Sequence, residues 1–164
     1  MPAGIVRPRT PRFRRLVAGL TLLGLTATGT ALTGAVTAAP ASASTADKAQ
    51  RFVEKINNAR QEHGLRPLEV GPRITEVAKE QARRMANRDY LFHNPSLTSD
   101  IGNWSKIGEN VGVGPGVKSI HHAFMTSPAH RDNILDPRYR RVGIGVVEVG
   151  GTLWVCEVFK DPAN

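Results

Sequence analysis

Val142-Gly143-Ile144-Gly145-Val146-Val147-Glu148-Val149-Gly150-Gly151-Thr152-Leu153-Trp154-Val155-Cys156-Glu157-Val158-Phe159 reads as two strands joined by a tight turn. Val142, Ile144 and Val146 alternate with Gly143, Gly145 and Val147, and Gly150-Gly151 supplies the glycines of a hairpin turn. Both strands are apolar on both faces, so neither face of the sheet meets water. Helices have to do the covering. The fold expected is α+β, an α-β-α sandwich with a small central antiparallel sheet between helical layers.

Upstream segments supply those helices. From Asp47, Phe52, Val53, Ile56 and Ala59 recur at three- and four-residue spacing, and Gly64 closes the run. Leu65, Pro67 and Leu68 form a non-helical bridge. A second helix opens at Pro72, with Ile74, Val77, Ala78, Ala82 and Met85 on one stripe and Lys79, Arg83, Arg84 and Arg88 elsewhere. Those cations read as a solvated face, with a partner-binding patch as the alternative. Tyr90 to Asn103 reads as a connection and Ile107 to Gly112 as a short strand. Gly112 to Gly116 reads as a loop, and with no preceding hydrophobic strand and a proline inside it, its weak likeness to a phosphate-binding turn is discounted. Val117, Ile120 and Phe124 mark a third helix. A fourth begins at Ser127, a good N-cap, with Pro128 in its first position.

Residues 1–43 have the make-up of a secretory leader. Arg7, Arg9, Arg12, Arg14 and Arg15 form a basic region, Leu16 to Leu32 is uncharged and apolar, and Ala41-Ser42-Ala43 is a cleavage signal. Arg14-Arg15 raises twin-arginine export, but the flanking residues suit an ordinary secretory route better. The parts expected are this leader, a polar lead-in at 44–49, a domain at 50–161 and a tail at 162–164. The product is then secreted, with no stable membrane span after cleavage.

The chain has 22 Lys+Arg against 14 Asp+Glu. Five of the arginines and none of the acids lie in the leader, so the remainder carries only +3. That is too little for a nucleic-acid footprint. The one cysteine, Cys156, excludes an internal disulfide, and its apolar neighbours point to burial in a monomer.

Three residues carry candidate chemistry. His130 falls at the third position of its helix, where the positive dipole end disfavours the imidazolium and leaves a neutral ring able to take a metal or a hydrogen bond. The alternative is that His130 only braces the turn. His93 precedes a turn, and Glu109 sits in a Gly-Glu-Asn-Val strand. Two imidazoles and a carboxylate are ligand types that a divalent ion such as zinc accepts. Ser127 is near His130, but an N-cap hydroxyl is expected to serve backbone amides. His63 suits a helix C-terminus, and of the adjacent His121 and His122 only one can face a given site, with His122 the candidate for the cleft rim.

Taken in order, Phe92-His93-Asn94-Pro95, Gly108-Glu109-Asn110-Val111, Ser127 to Leu135, Val142 to Gly145 and Trp154 to Phe159 resemble a bacterial CAP domain. This is the superfamily of cysteine-rich secretory proteins, antigen 5 and pathogenesis-related 1 proteins, also called SCP. Asn57-Asn58-Ala59-Arg60 and Leu65-Arg66-Pro67-Leu68 match as well. The resemblance implies an α-β-α sandwich with a central cleft and a tetrad of two histidines and two acids. His93 and His130 match the histidines and Glu109 one acid. The second acid falls at Ser127, a departure usual for bacterial relatives. Glu157 stands where relatives often have glutamine and is a further candidate for the cleft, an edge-exposed or paired glutamate being the alternative.

Three functions follow. One is a secreted, non-catalytic binding domain whose cleft, built on His93, Glu109, His130, Ser127 and Glu157, holds a divalent metal weakly on His93, His130 and Glu109, and takes a small apolar or lipid-like ligand. The second is a metal-dependent peptidase or envelope-acting hydrolase, against which the chain has no His-Glu-x-x-His and no Gly-x-Ser-x-Gly. The third is a module that binds a cell-envelope polymer through the Arg83, Arg84 and Arg88 face.

Overall fold

In the computed structural model, which describes residues 44–163, the hairpin forms the centre of the sheet. The elements are α1 (Thr45–Glu62), β1 (Glu69–Val70), α2 (Pro72–Arg88), α3 (Leu97–Asp100), β2 (Trp104–Gly114), α4 (Val117–Thr126), α5 (Pro128–Ile134), β3 (Arg141–Val149) and β4 (Thr152–Pro162). The sheet order is β1-β3-β4-β2. The three long strands are antiparallel, and the two-residue β1 adds a parallel pairing, Glu69 to Arg141 and Val70 to Val142.

Both faces of the sheet are covered. Val142, Ile144, Val146, Val155 and Phe159 pack with Phe52 and Ile56 of α1, Ile120 and Phe124 of α4 and Ile134 of α5. Trp154, Cys156 and Val158 pack with Ile74, Ala78, Ala82 and Met85 of α2. Cys156 is buried, as its neighbours imply. The helix of Arg83 and Arg88 therefore presents those residues to solvent and its apolar stripe to the sheet.

Three boundaries differ from the sequence reading. Residues 44–49 are no lead-in: Ser44 caps α1, its hydroxyl accepting from Asp47 N at 3.1 Å while its own N–H donates to the Asp47 carboxylate at 3.0 Å. This reciprocal pair satisfies donors that a helix start otherwise leaves open. Ser44→Ala is expected to lower stability by about 1 kcal/mol in a urea melt. β2 runs eleven residues, through the glycines read as the start of a loop. The connection after α2 contains a short turn of helix, α3. The leader expected at 1–43 lies outside the described residues, and among the described residues no helix is long and apolar enough to cross a membrane.

One buried cation fixes the layer that carries His130. Arg60 is fully buried on α1, and its guanidinium donates to the carbonyls of Arg66 at 2.9 Å, Ile134 at 2.8 Å and Asp136 at 2.9 Å. It thereby ties the C-terminal end of α5 to α1. Burial and the nearby Arg66 lower its pKa, but an arginine has ample margin to stay charged.

Candidate functional site

The outer strand β2 organises the candidate residues. Successive side chains point to opposite faces, so Glu109 lies on the α2 side and Asn110 on the side of α1, α4 and α5. His93 arrives from the connection after α2, and its Nδ1 meets Glu109 Oε1 at 2.8 Å. Asn94 N donates to the same oxygen at 2.9 Å, and the Cys156 thiol donates to Oε2 at 3.4 Å. The Glu109 side chain is 3% exposed and both of its oxygens are engaged by protein donors. The His93 ring, by contrast, is 64% exposed.

His130 approaches from the other layer. Its backbone carbonyl accepts from Asn110 Nδ2 at 3.2 Å, and its ring lies 5.0 Å from that of Phe124. It occupies the third position of α5, as the spacing predicts. Its pKa is lowered, first by burial and then by the charge of His93. Burial, and not a helix dipole, is the first cause that disfavours its charged form.

Ser127 departs from expectation. Its hydroxyl makes no capping bond and instead meets His130 Nδ1 at 2.8 Å. The hydroxyl thereby orients the imidazole. In each ring Nδ1 is thus held, by Glu109 in one and Ser127 in the other, and Nε2 is the nitrogen left over.

Glu157 is neither edge-exposed nor on the cleft surface. It is fully buried on β4 between β2 and β3, and Asn110 Nδ2 donates to its Oε2 at 3.0 Å while Oε1 has no partner. Burial raises its pKa to about 8. The side chain is therefore neutral at pH 7, which is how an acid survives there without a counter-charge.

Asn110 and Asn133 had no role assigned from sequence, yet they join the parts. Asn133 Nδ2 donates to Asn110 Oδ1 at 3.0 Å and to the Glu109 carbonyl at 3.3 Å, linking α5 to β2. Asn94 braces the His93 loop, its Nδ2 donating to Asp100 at 2.9 Å and its Oδ1 accepting from Ser96 N at 3.0 Å. Asparagine's paired donor and acceptor suits such bridging, but the signal is visible only once the alternation of β2 is known.

The remaining histidines play other parts. His63 caps α1, with Nδ1 2.7 Å from the Ala59 carbonyl. Burial and the charges of Lys55 and His122 lower the pKa of His121 to about 4. His122 lines an open, mostly apolar cavity of about 410 Å³ with Pro115, Gly116, Lys118 and Ser119. A larger cavity, about 450 Å³, lies between α1, α2 and β3, away from both candidate imidazoles.

Among the described residues no three His, Cys, Asp or Glu side chains form a ready ligand set for a metal ion. The donor chemistry fits a looser arrangement. Each ring has its Nδ1 engaged and its Nε2 left over, and a carboxylate on the far nitrogen of one is the usual second partner of a metal-bound histidine.

The comparisons with known proteins agree with this architecture. The model of the Cysteine-rich secretory protein family (CAP) matches residues 53–158, and the chain belongs to that family. It is 32% identical over 127 residues to the uncharacterised protein YkwD of Bacillus subtilis, covering 72% of this chain and 48% of that one, so it spans about half of that relative. The fold resembles an outer surface protein of Borrelia burgdorferi with a TM-score of 0.67 at 16% identity, covering 73% of this chain and 96% of that one. It also resembles an extracellular SCP-domain protein of Bacillus anthracis with a TM-score of 0.63 at 21% identity, covering 71% and 41%. The α-β-α sandwich expected from the hairpin is the fold of these proteins.

Proposed function

We propose that the chain is an exported binding module whose two imidazoles take up a divalent ion, zinc by donor chemistry, at the outer edge of β2. The observation that carries this reading is the state of Glu109: buried, with both oxygens used, and aimed at the inner nitrogen of an exposed histidine. A carboxylate so placed makes the imidazole a better ligand and fixes which nitrogen faces out. Glu109 then acts behind His93 and is not itself a ligand. Two protein ligands leave positions for water or for an oxygen of a second ligand, and the ion is held weakly. Export is supported by the composition of residues 1–43 and by the extracellular and outer-surface descriptions of the structural relatives.

The basic face of α2 supports an envelope-binding role less well. Lys79 pairs with Glu76 at 2.8 Å and Arg83 pairs with Glu80 on the same helix, so much of that charge is neutralised locally.

Zinc titration by calorimetry tests the assignment. His93→Ala and His130→Ala are each expected to abolish uptake, and Glu109→Gln to weaken it about 10- to 100-fold, the range for an outer partner of a metal-bound histidine. Unchanged uptake in both histidine variants would sink the metal site. A Glu109→Gln loss as complete as theirs would make Glu109 a direct ligand.

A further inference from the structure

We propose that the outer edge of β2 is a docking site for an extended acidic peptide, which adds as a strand beside His93 and His130. An outer strand turns the N–H and C=O of every second residue away from its neighbour. Gly71 N donates to the Val142 carbonyl at 3.0 Å, so Val142 turns its main-chain groups towards β1. Its cross-strand partner Phe159 therefore turns its own towards β2, onto Gly108. By the two-residue alternation, Glu109, Val111 and Val113 point theirs outward. The Asn133 bond to the Glu109 carbonyl is independent evidence of that direction.

Among the described residues, the outward groups of Val111 and Val113 have no hydrogen-bond partner, and Val113 is 40% exposed. Past Gly114 the edge runs into the mostly apolar cavity of Pro115, Gly116 and His122. From Glu109 to Pro115 is about 20 Å at the rise of an extended chain, the length of a six-residue strand. A peptide along it gains main-chain bonds at Val111 and Val113, a recess for an apolar side chain at one end, and the imidazoles at the other.

Charge selects the partner. Between Glu109 and Asp132 the chain has no carboxylate, and Lys118, which lines the cavity, is in no ion pair among the described residues. An acidic segment complements that stretch and a basic one does not. The proposal goes beyond the metal site and does not depend on it.

The test is fluorescence anisotropy in chelator-containing buffer, with a fluorescein-labelled acidic hexapeptide of alternating valine and glutamate ending in leucine. Saturable binding is expected, weakened about tenfold or more when the amides on one side of the peptide are N-methylated and far less when those on the other side are. Val113→Pro removes only an outward N–H, which an edge strand tolerates, and is expected to cost a similar factor with an unchanged circular dichroism spectrum. Lys118→Glu is expected to weaken binding further. Should Val113→Pro fail to fold, the two methylated peptides decide on the native chain. Absence of saturable binding at millimolar peptide overturns the proposal, as does binding indifferent to both methylation patterns. Wild-type dimers in sedimentation that Val113→Pro dissolves would give the edge to a second copy of this chain and likewise overturn it. Because the measurement is made without metal, its failure leaves the zinc assignment standing, and the reverse also holds.

Discussion

Gly145→Ala is expected to lower folding stability by about 3 kcal/mol or more, at the upper end of what overpacking a core costs. A β carbon at Gly145 would fall 2.1 Å from the Ala78 carbonyl oxygen and 2.4 Å from Lys79 N. The obstacle is helix backbone, so no side-chain rotation relieves it. Gly143 is in the same position, with Ile74 C and Thr75 N each 2.4 Å away. These two glycines let α2 lie directly on β3. Relief requires α2 to move off the sheet, and α2 leads straight into the connection that delivers His93 to Glu109. A variant that still folds is therefore expected to lose zinc affinity as well. Gly102→Ala is the control: nothing lies within 4 Å of its added carbon, and its effect is expected within about 0.5 kcal/mol. Urea melts of the two variants decide the point, and a Gly145→Ala midpoint close to that of the native chain would contradict the packing described.

The same glycines show what the sequence could and could not tell. Their alternation with Val142, Ile144 and Val146 reveals a strand and a close backbone approach, because both are local properties of the stretch. β2 was harder to delimit: Gly108 fell inside the expected strand, but Gly112 and Gly114 read as a loop. Their reason is tertiary: a β carbon there would meet the Tyr139 hydroxyl at 2.4 Å, the Phe124 ring at 2.7 Å and Ile120 at 3.0 Å respectively. The two-residue β1 has no local signal and exists because Arg141 and Val142 offer it a partner.

At the site, residue types were legible and pairings were not. His93 and Glu109 are recognisable by chemistry and motif. The use of the Ser127 hydroxyl on His130, in place of helix amides, depends on where the ring turns. Glu157 was misjudged in a physically informative way. The rule that a buried charge needs a partner argued for an edge-exposed or paired glutamate; the group is instead buried, accepts from Asn110, and is held uncharged by burial.

That resolution makes Glu157 the source of a pH dependence. Its folded pKa of about 8 stands above the ordinary 4.5. Stability from this group is fully present below pH 4.5 and is lost as pH rises through about 8, because the unfolded chain gives up the proton first. His121 acts in the opposite sense: with its pKa lowered from 6.5 to about 4, its contribution is present above pH 6.5 and lost as pH falls through about 4. Between 4.5 and 6.5 the two slopes oppose each other, while from 6.5 to 8 Glu157 acts without that counterweight. The native chain is therefore expected to be most stable on a plateau near pH 5 to 6 and to weaken towards pH 8. Glu157→Gln keeps an acceptor for Asn110 and cannot ionise. Relative to the native chain it is expected to gain on the order of 4 kcal/mol between pH 5 and pH 8, whatever its penalty at pH 5 from placing a second amide hydrogen where Oε1 has no partner. Denaturation curves at pH 5, 6.5 and 8 measure that difference. Parallel profiles for the two proteins would mean that Glu157 is already ionised in the fold, and Asn110 alone would then have to hold a buried charge.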